Sequence, residues 1–127
     1  MSQFERTELL IGTNSVERLK KMKVAVFGIG GVGSYVVEAL ARCGIGSFDL
    51  IDKDVVSESN INRQIIALHS TVGIAKVEVA KKRILDINPC AIVNTYETFF
   101  SKEGMEKQYT LSLGREWTGG DVIDDFC

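Results

Sequence analysis

A chain of 127 residues is enough for one small domain with a modest core, and 45% hydrophobic and 25% charged residues are ordinary for a soluble globular protein. A net charge of −2 argues, on composition alone, against a nucleic-acid or membrane partner, and no apolar run approaches the length of a membrane span. Cys43, Cys90 and Cys127 are far apart and form no C-x-x-C, and the N-terminus has no signal-peptide pattern; this fits a reducing cytoplasm rather than a disulfide framework or a zinc knuckle.

Residues 1–22 read as an N-terminal helical arm, and residues 23–127 as one nucleotide-binding domain. In the arm, Glu5, Arg6 and Thr7 precede Leu9, Leu10 and Ile11, and Gly12 breaks the run. Ser15 is placed to cap a second short helix. On pattern alone Arg6 is a solvated charge.

Lys23 to Gly33, KVAVFGIGGVG, is the stretch that organises the chain. Val24 to Phe27 is a short apolar run rich in β-branched residues, hence a buried strand. Gly28, Gly30, Gly31 and Gly33 follow, and Ser34 opens a helical run closed by Gly44. Strand, glycine turn and helix form the context in which G-x-G-x-x-G signals a dinucleotide-type site. Gly28 permits the turn, Gly30 and Gly31 leave room for a phosphate, and Gly33 allows close helix–strand packing. The helix start offers N–H groups and a positive dipole end to an anion. Within the helix, Val36, Val37, Ala39, Leu40 and Cys43 are expected to face inward, which makes Cys43 a core residue.

Ser47 to Asp52, SFDLID, reads as a second buried strand. Asp52 lies nineteen residues beyond Gly33, close to the spacing of a carboxylate that accepts ribose hydroxyls. The polar segment Asp52 to Gln64 then holds Asp52 and Asp54 around Lys53, followed by Asn60, Asn62, Arg63 and Gln64. It follows directly from a strand end, where ligands bind in open α/β sheets. Ile65 to Leu68 is expected to pack on the domain, and His69 to be a capping or surface residue. Gly73 to Ile87 reads as an amphipathic helix, with Ile74, Val77, Ala80, Ile84 and Ile87 at helical spacing and Lys81, Lys82 and Arg83 on its wet side. Lys76 lies in the first turn, facing the loop. Pro89 ends the helix, and Ala91 to Tyr96 is a third strand. Met105 to Leu113 reads as a helix, Gly114 to Gly120 as a loop, and Asp121 to Cys127 as the start of a further strand.

The motifs GIGGVGS, LIDKD, SNINRQ and VGIAKVE, in this order and spacing, resemble the ubiquitin-activating-enzyme-like adenylyltransferase superfamily over residues 6 to about 100. RTELLIG, GIGGVGSYVVEALARCGIG and INRQIIAL look most like its bacterial tRNA threonylcarbamoyladenosine dehydratase branch. The resemblance implies a Rossmann-like α/β fold, here the N-terminal half of the family domain: a parallel sheet with flanking helices. It implies ATP and Mg²⁺, adenylation of a carboxylate with release of pyrophosphate, a tRNA substrate and a homodimer. By family position Gly31 approaches the α-phosphate and Asp52 holds the ribose, with Gly28, Gly30, Gly33, Asp54 and Gln64 also lining the nucleotide. Asn60, Arg63 and Lys76 surround the triphosphate, and Arg6 resembles an arginine that reaches into the partner subunit's site. The alternatives are activation of a sulfur-carrier protein's C-terminus and, in another class, a nucleotide-binding fragment without turnover or a dehydrogenase fragment.

The departure lies at the C-terminus. The superfamily carries a strand ending in D-x-x-D, whose second aspartate coordinates Mg²⁺. Here VIDDFC puts Asp124 in the first acidic place and Cys127 in the second. The chain is therefore expected to be a truncated copy with three strands and no clear fourth. Val24, Val26, Leu50, Ile51, Ile92 and Val93 would then lie near an uncovered edge.

Overall fold

The computed structural model describes residues 2–98 and 121–124, the last four by their backbone. The expectations for residues 105–120 and for Cys127 lie outside the described residues. Two short helices, α1 (Glu5–Ile11) and α2 (Thr13–Lys20), lead into β1 (Lys23–Phe27), α3 (Gly31–Cys43) and β2 (Ser47–Ile51). After a single 3-10 turn at Glu58–Asn60 come α4 (Lys76–Ile87), β3 (Ile92–Tyr96) and β4 (Asp121–Asp124). The sheet has the order β3-β2-β1-β4 and every pairing is parallel. This is the α/β Rossmann-like architecture that the strand–glycine–helix pattern implies.

Both faces of the central strands are buried, so β1 and β2 read as continuous apolar runs rather than alternations. Val24, Val26, Phe48, Leu50 and Val93 form one core with Val37 and Ala41 of α3 and Val77, Ala80 and Ile84 of α4. The alternate residues Ala25, Phe27, Asp49 and Ile51 are buried as well. Asp49, wholly enclosed, is neutralised by Lys23 Nζ at 2.8 Å and receives a hydrogen bond from Asn94 Nδ2 at 2.9 Å. A carboxylate this deep is tolerated only with such partners.

β4 falls within the further strand read at Asp121 to Cys127 and gives the sheet the fourth strand that was not clearly expected. β4 pairs with β1, Phe27 opposite Asp124, so β1 is interior. Of the six residues expected near an open edge only Ile92, on the edge strand β3, is exposed.

Local readings shift too. α2 begins at Thr13 with Gly12 before it, so Ser15 lies inside the helix rather than capping it. α3 begins at Gly31, three residues before Ser34, because its glycines sit in the first turn, where backbone N–H groups have no helical partner in any case. Its buried line is Gly33, Ser34, Val37 and Ala41. Cys43 lies two residues past Ala41, about 200° round the helix, and is exposed rather than core; Ala39 is exposed for the same reason. α4 begins at Lys76, not Gly73, and Ile74 is exposed. α2 buries Val16 and packs Leu19 on the core, and Phe4 of the arm is buried with its ring against Gly44. A Cβ on Gly46 would lie 1.8 Å from the Lys20 carbonyl oxygen, so the α2 end and the β2 start approach closely only because residue 46 is glycine. Among the described residues no helix is long and apolar enough to cross a membrane.

Arg83 is not simply a solvated charge. It pairs with Glu38 of α3, which also receives Arg42 Nη2 at 2.8 Å. Hydrogen bonding to Arg83 holds the Glu38 carboxyl below its ordinary range against the opposing effect of burial. A depressed carboxylate contributes stability that is present above its unfolded pKa and lost as pH falls through the folded one. Arg83 is more than a third exposed, so screening holds the gain to about 1 kcal/mol or less. Glu38→Gln is therefore expected to lower the melting temperature slightly at pH 7, and the deficit to shrink as pH falls below the ordinary carboxylate range and through the lowered folded pKa. Thermal melts across pH check this; an equal deficit at both ends would show that the charge is irrelevant.

Candidate functional site

The site is built at the carboxyl ends of β1 and β2. β1 ends at Phe27, and the chain turns at Gly28, whose φ of +94° is a region that residues with side chains rarely adopt. The Gly28 N–H donates to the Ile51 carbonyl at 2.8 Å, fixing the turn to the end of β2. Gly30 precedes α3 with no side-chain cap hydrogen bond. A Cβ placed on Gly31 would meet nothing within 4 Å among the described residues. Gly33 is buried, as close packing on the strand requires.

Asp52 follows β2 directly, and both its oxygens are engaged. Oδ2 accepts the Ile29 N–H at 2.7 Å and Oδ1 accepts the Asp54 N–H at 2.8 Å. The Asp54 carbonyl in turn accepts the Lys76 N–H at 3.0 Å. Beside it, Val56 N–H donates to Ile74 O at 2.9 Å and Gly73 N–H to Val56 O at 2.8 Å, around an antiparallel bridge between Val55 and Ala75. This small ladder takes Gly73 to Ala75 out of the helix and sets where α4 begins. It delivers Lys76 to the site 7% exposed, with no hydrogen-bond or ion-pair partner for its ammonium among the described residues.

The SNINRQ segment closes one side. Asn60 is buried, and its Oδ1 accepts the Ser57 N–H at 2.9 Å, ordering the 3-10 turn. Gln64 is 6% exposed, and its Oε1 is a buried oxygen without a partner among the described residues. Its N–H donates to the Asn60 carbonyl at 2.9 Å. The next N–H, of Ile65, points at the Ser34 hydroxyl of α3 at 3.4 Å. Arg63 is exposed; its Nη1 donates to Ser59 O at 3.1 Å and to Asn62 Oδ1 at 2.9 Å, and no carboxylate pairs with it among the described residues. His69 is exposed.

The glycine turn, Asp52, Asp54 and Lys76 are thus joined by consecutive hydrogen bonds, with Asn60 and Gln64 attached through Ser34. Arg6 is apart. Phe4, two residues before it, packs on Gly44 at the far end of α3, about 20 Å along the helix from Gly31. Asp124 stands level with Phe27 at the carboxyl end of β4. Among the described residues no group of three potential metal ligands occurs. A groove of about 700 Å³ runs elsewhere, along α4, lined by Leu68, Ile74, Val79, Lys82 and Leu85. What the sequence reading missed are backbone groups: the Ile29 amide and the 54–56 to 73–76 ladder. Their sequence signals are Gly28 and Gly30 on either side of Ile29, and Gly73 in the ladder.

Such a site suits a polyanion attached to a ribose: a glycine-rich helix start, a lysine ammonium and a buried acceptor without partners among the described residues, and a carboxylate at a strand end. Comparisons with known proteins agree in kind. The sequence model of the ThiF family matches residues 4–120. A tRNA threonylcarbamoyladenosine dehydratase from Bacillus subtilis is 46% identical over 123 residues, 97% of this chain and 48% of the relative. The chain spans less than half the length of that relative. The crystal structure of Escherichia coli tRNA N6-threonylcarbamoyladenosine dehydratase in complex with ATP superposes with a TM-score of 0.84 at 42% identity, covering 98% of this chain and 49% of that one. An adenylyltransferase and sulfurtransferase, UBA4, from Lodderomyces elongisporus is 45% identical over 79% of this chain and 23% of its own.

Proposed function

The chain belongs to the ThiF family, and from that premise we propose that it binds ATP over the glycine turn and serves the adenylation of a carboxylate, that of threonylcarbamoyladenosine in tRNA. The observation that carries the reading is Lys76, a largely buried residue whose ammonium has no partner among the described residues and whose backbone is tied by hydrogen bonds to Asp52 and the turn. A dehydrogenase site has no need of a lysine there, whereas a triphosphate is served by the cation.

In this reading the ribose hydroxyls donate to Asp52, whose carboxylate has lone pairs beyond the two already used. Gly31 admits the α-phosphate against the backbone. Lys76 and Arg63 neutralise the outer phosphates, Asn60 and Gln64 complete the wall, and Gly28, Gly30, Gly33 and Asp54 hold the frame. A substrate carboxylate oxygen attacks the α-phosphorus, the bond to the bridging oxygen breaks, and pyrophosphate leaves with that electron pair. Ring closure on the acyl-adenylate then expels AMP. Alignment and charge neutralisation are what the residues supply. Mg²⁺ is commonly held by one or two carboxylates with phosphate oxygens and water, and it would offset phosphate charge. Asp124, beside Phe27, is the residue proposed to hold it. Because Arg6 lies by the far end of α3, we assign it to the site of a second copy in a homodimer. The proposed setting is the cytoplasm. A second reading, activation of a sulfur-carrier protein, is supported by the resemblance to UBA4.

Calorimetry of the chain with ATP and with NAD tests the nucleotide. ATP binding with no NAD binding is expected, and the reverse would overturn the proposal. Pyrophosphate release stimulated by tRNA bearing threonylcarbamoyladenosine, rather than by a sulfur-carrier protein, is the expected result for the acceptor.

A further inference from the structure

We propose that the Asp52 carboxylate is the positioning residue for Lys76, acting through the backbone of Asp54, in addition to any contact with a ribose. The inference deepens the nucleotide reading above and rests on it only for its ligand measurements.

The geometry is a four-membered relay. Ile29 N–H donates to Asp52 Oδ2 at 2.7 Å, Asp54 N–H donates to Asp52 Oδ1 at 2.8 Å, and Lys76 N–H donates to the Asp54 carbonyl at 3.0 Å. Both bonds to Asp52 are charge-assisted and short, the stronger kind. They pin residue 54 from one side. The Val55–Ala75 bridge and the hydrogen bonds of Val56 with Gly73 and Ile74 pin the same strip to the start of α4 from the other. α4 has no side-chain cap of its own: Ala75 stands at that position. The first backbone N–H of the helix, that of Lys76 itself, is therefore satisfied by the loop that Asp52 holds. One carboxylate fixes both the glycine turn that would receive phosphate and the cation that would neutralise it.

A residue that only held ribose would leave Lys76 indifferent to its loss. The test uses the 127-residue chain, first without ligand. Asp52→Ala removes both acceptors; amide hydrogen exchange is expected to speed up on the order of tenfold at Ile29, Asp54 and Lys76, with Val26 and Leu50 in the sheet unchanged as a fold control. Should that variant not fold, Asp52→Asn, which retains one acceptor and the same shape, gives the same readout. Faster exchange at Ile29 and Asp54 with wild-type protection at Lys76 would overturn the proposal. The second arm measures tripolyphosphate, which has no ribose. Its affinity is expected to fall about fivefold in Asp52→Ala, and ATP affinity to fall further. Unchanged tripolyphosphate affinity would reduce Asp52 to a ribose contact and also overturn it. If the wild type binds neither ligand, the nucleotide reading fails, and the exchange measurement alone decides the positioning role.

Discussion

Replacing Lys76 with alanine is expected to weaken ATP binding by roughly 10- to 100-fold while changing the melting temperature of the ligand-free chain little. The Lys76 residue is only 7% exposed, and its ammonium has no counter-charge among the described residues. Removing it therefore breaks no ion pair among them, and the fold is little affected. A phosphate group would supply the missing partner, and charge-assisted contacts in a dry site are the strong ones. Adenylation in an active enzyme carrying this site should fall about a hundredfold or more, since phosphate charge is redistributed in the transition state. Arg63→Ala should cost less in binding, because Arg63 is exposed and partly engaged by Ser59 and Asn62. Calorimetry with ATP beside a thermal melt measures both quantities. ATP affinity within about threefold of wild type would return Lys76 to the role of a structural lysine.

Gly31→Ala is expected to separate folding from binding in the same way. An added Cβ meets no atom of the described residues within 4 Å, and alanine is up to about 1 kcal/mol better than glycine in a helix. The ligand-free chain should be as stable as wild type or slightly more so. The methyl would instead occupy the space left for a phosphate at the helix start, where the backbone must be approached closely. A steric conflict of about 1–3 kcal/mol corresponds to roughly 5- to 150-fold in ATP affinity. A stable variant that binds ATP as well as wild type would mean that the phosphates lie elsewhere. An unstable variant would mean that the space at Gly31 is needed by the protein itself.

The sequence by itself determined the parts of this protein that depend on near neighbours. The β1 run, the glycine turn, the helix after it and the acidic end of β2 are each specified within a few residues, by side-chain period and by glycine's freedom at positive φ. Asp52 could be singled out because its distance from the turn is a property of one β–α–β unit. The core of α4, Val77, Ala80 and Ile84, was legible from spacing for the same reason. Only the tertiary structure decided what depends on distant partners. Ile74 fits the helical period, yet the strip 54–56 draws residues 73–75 into a ladder and α4 starts later. Cys43 is apolar in character but lies on the side of α3 turned away from the sheet. Arg83 belongs to a charged run, but Glu38, forty-five positions earlier, pairs with it. Asp49 is enclosed because Lys23 and Asn94 flank it from neighbouring strands. β4 becomes a strand beside β1, almost a hundred positions away. Lys76 was visible as a lysine at a helix start; that the residue is only 7% exposed, with no partner for its ammonium among the described residues, is the result of the loop packing beside it. Local pattern encodes conformation, but burial and pairing of charge are set by which elements meet, and that is decided only when the sheet assembles.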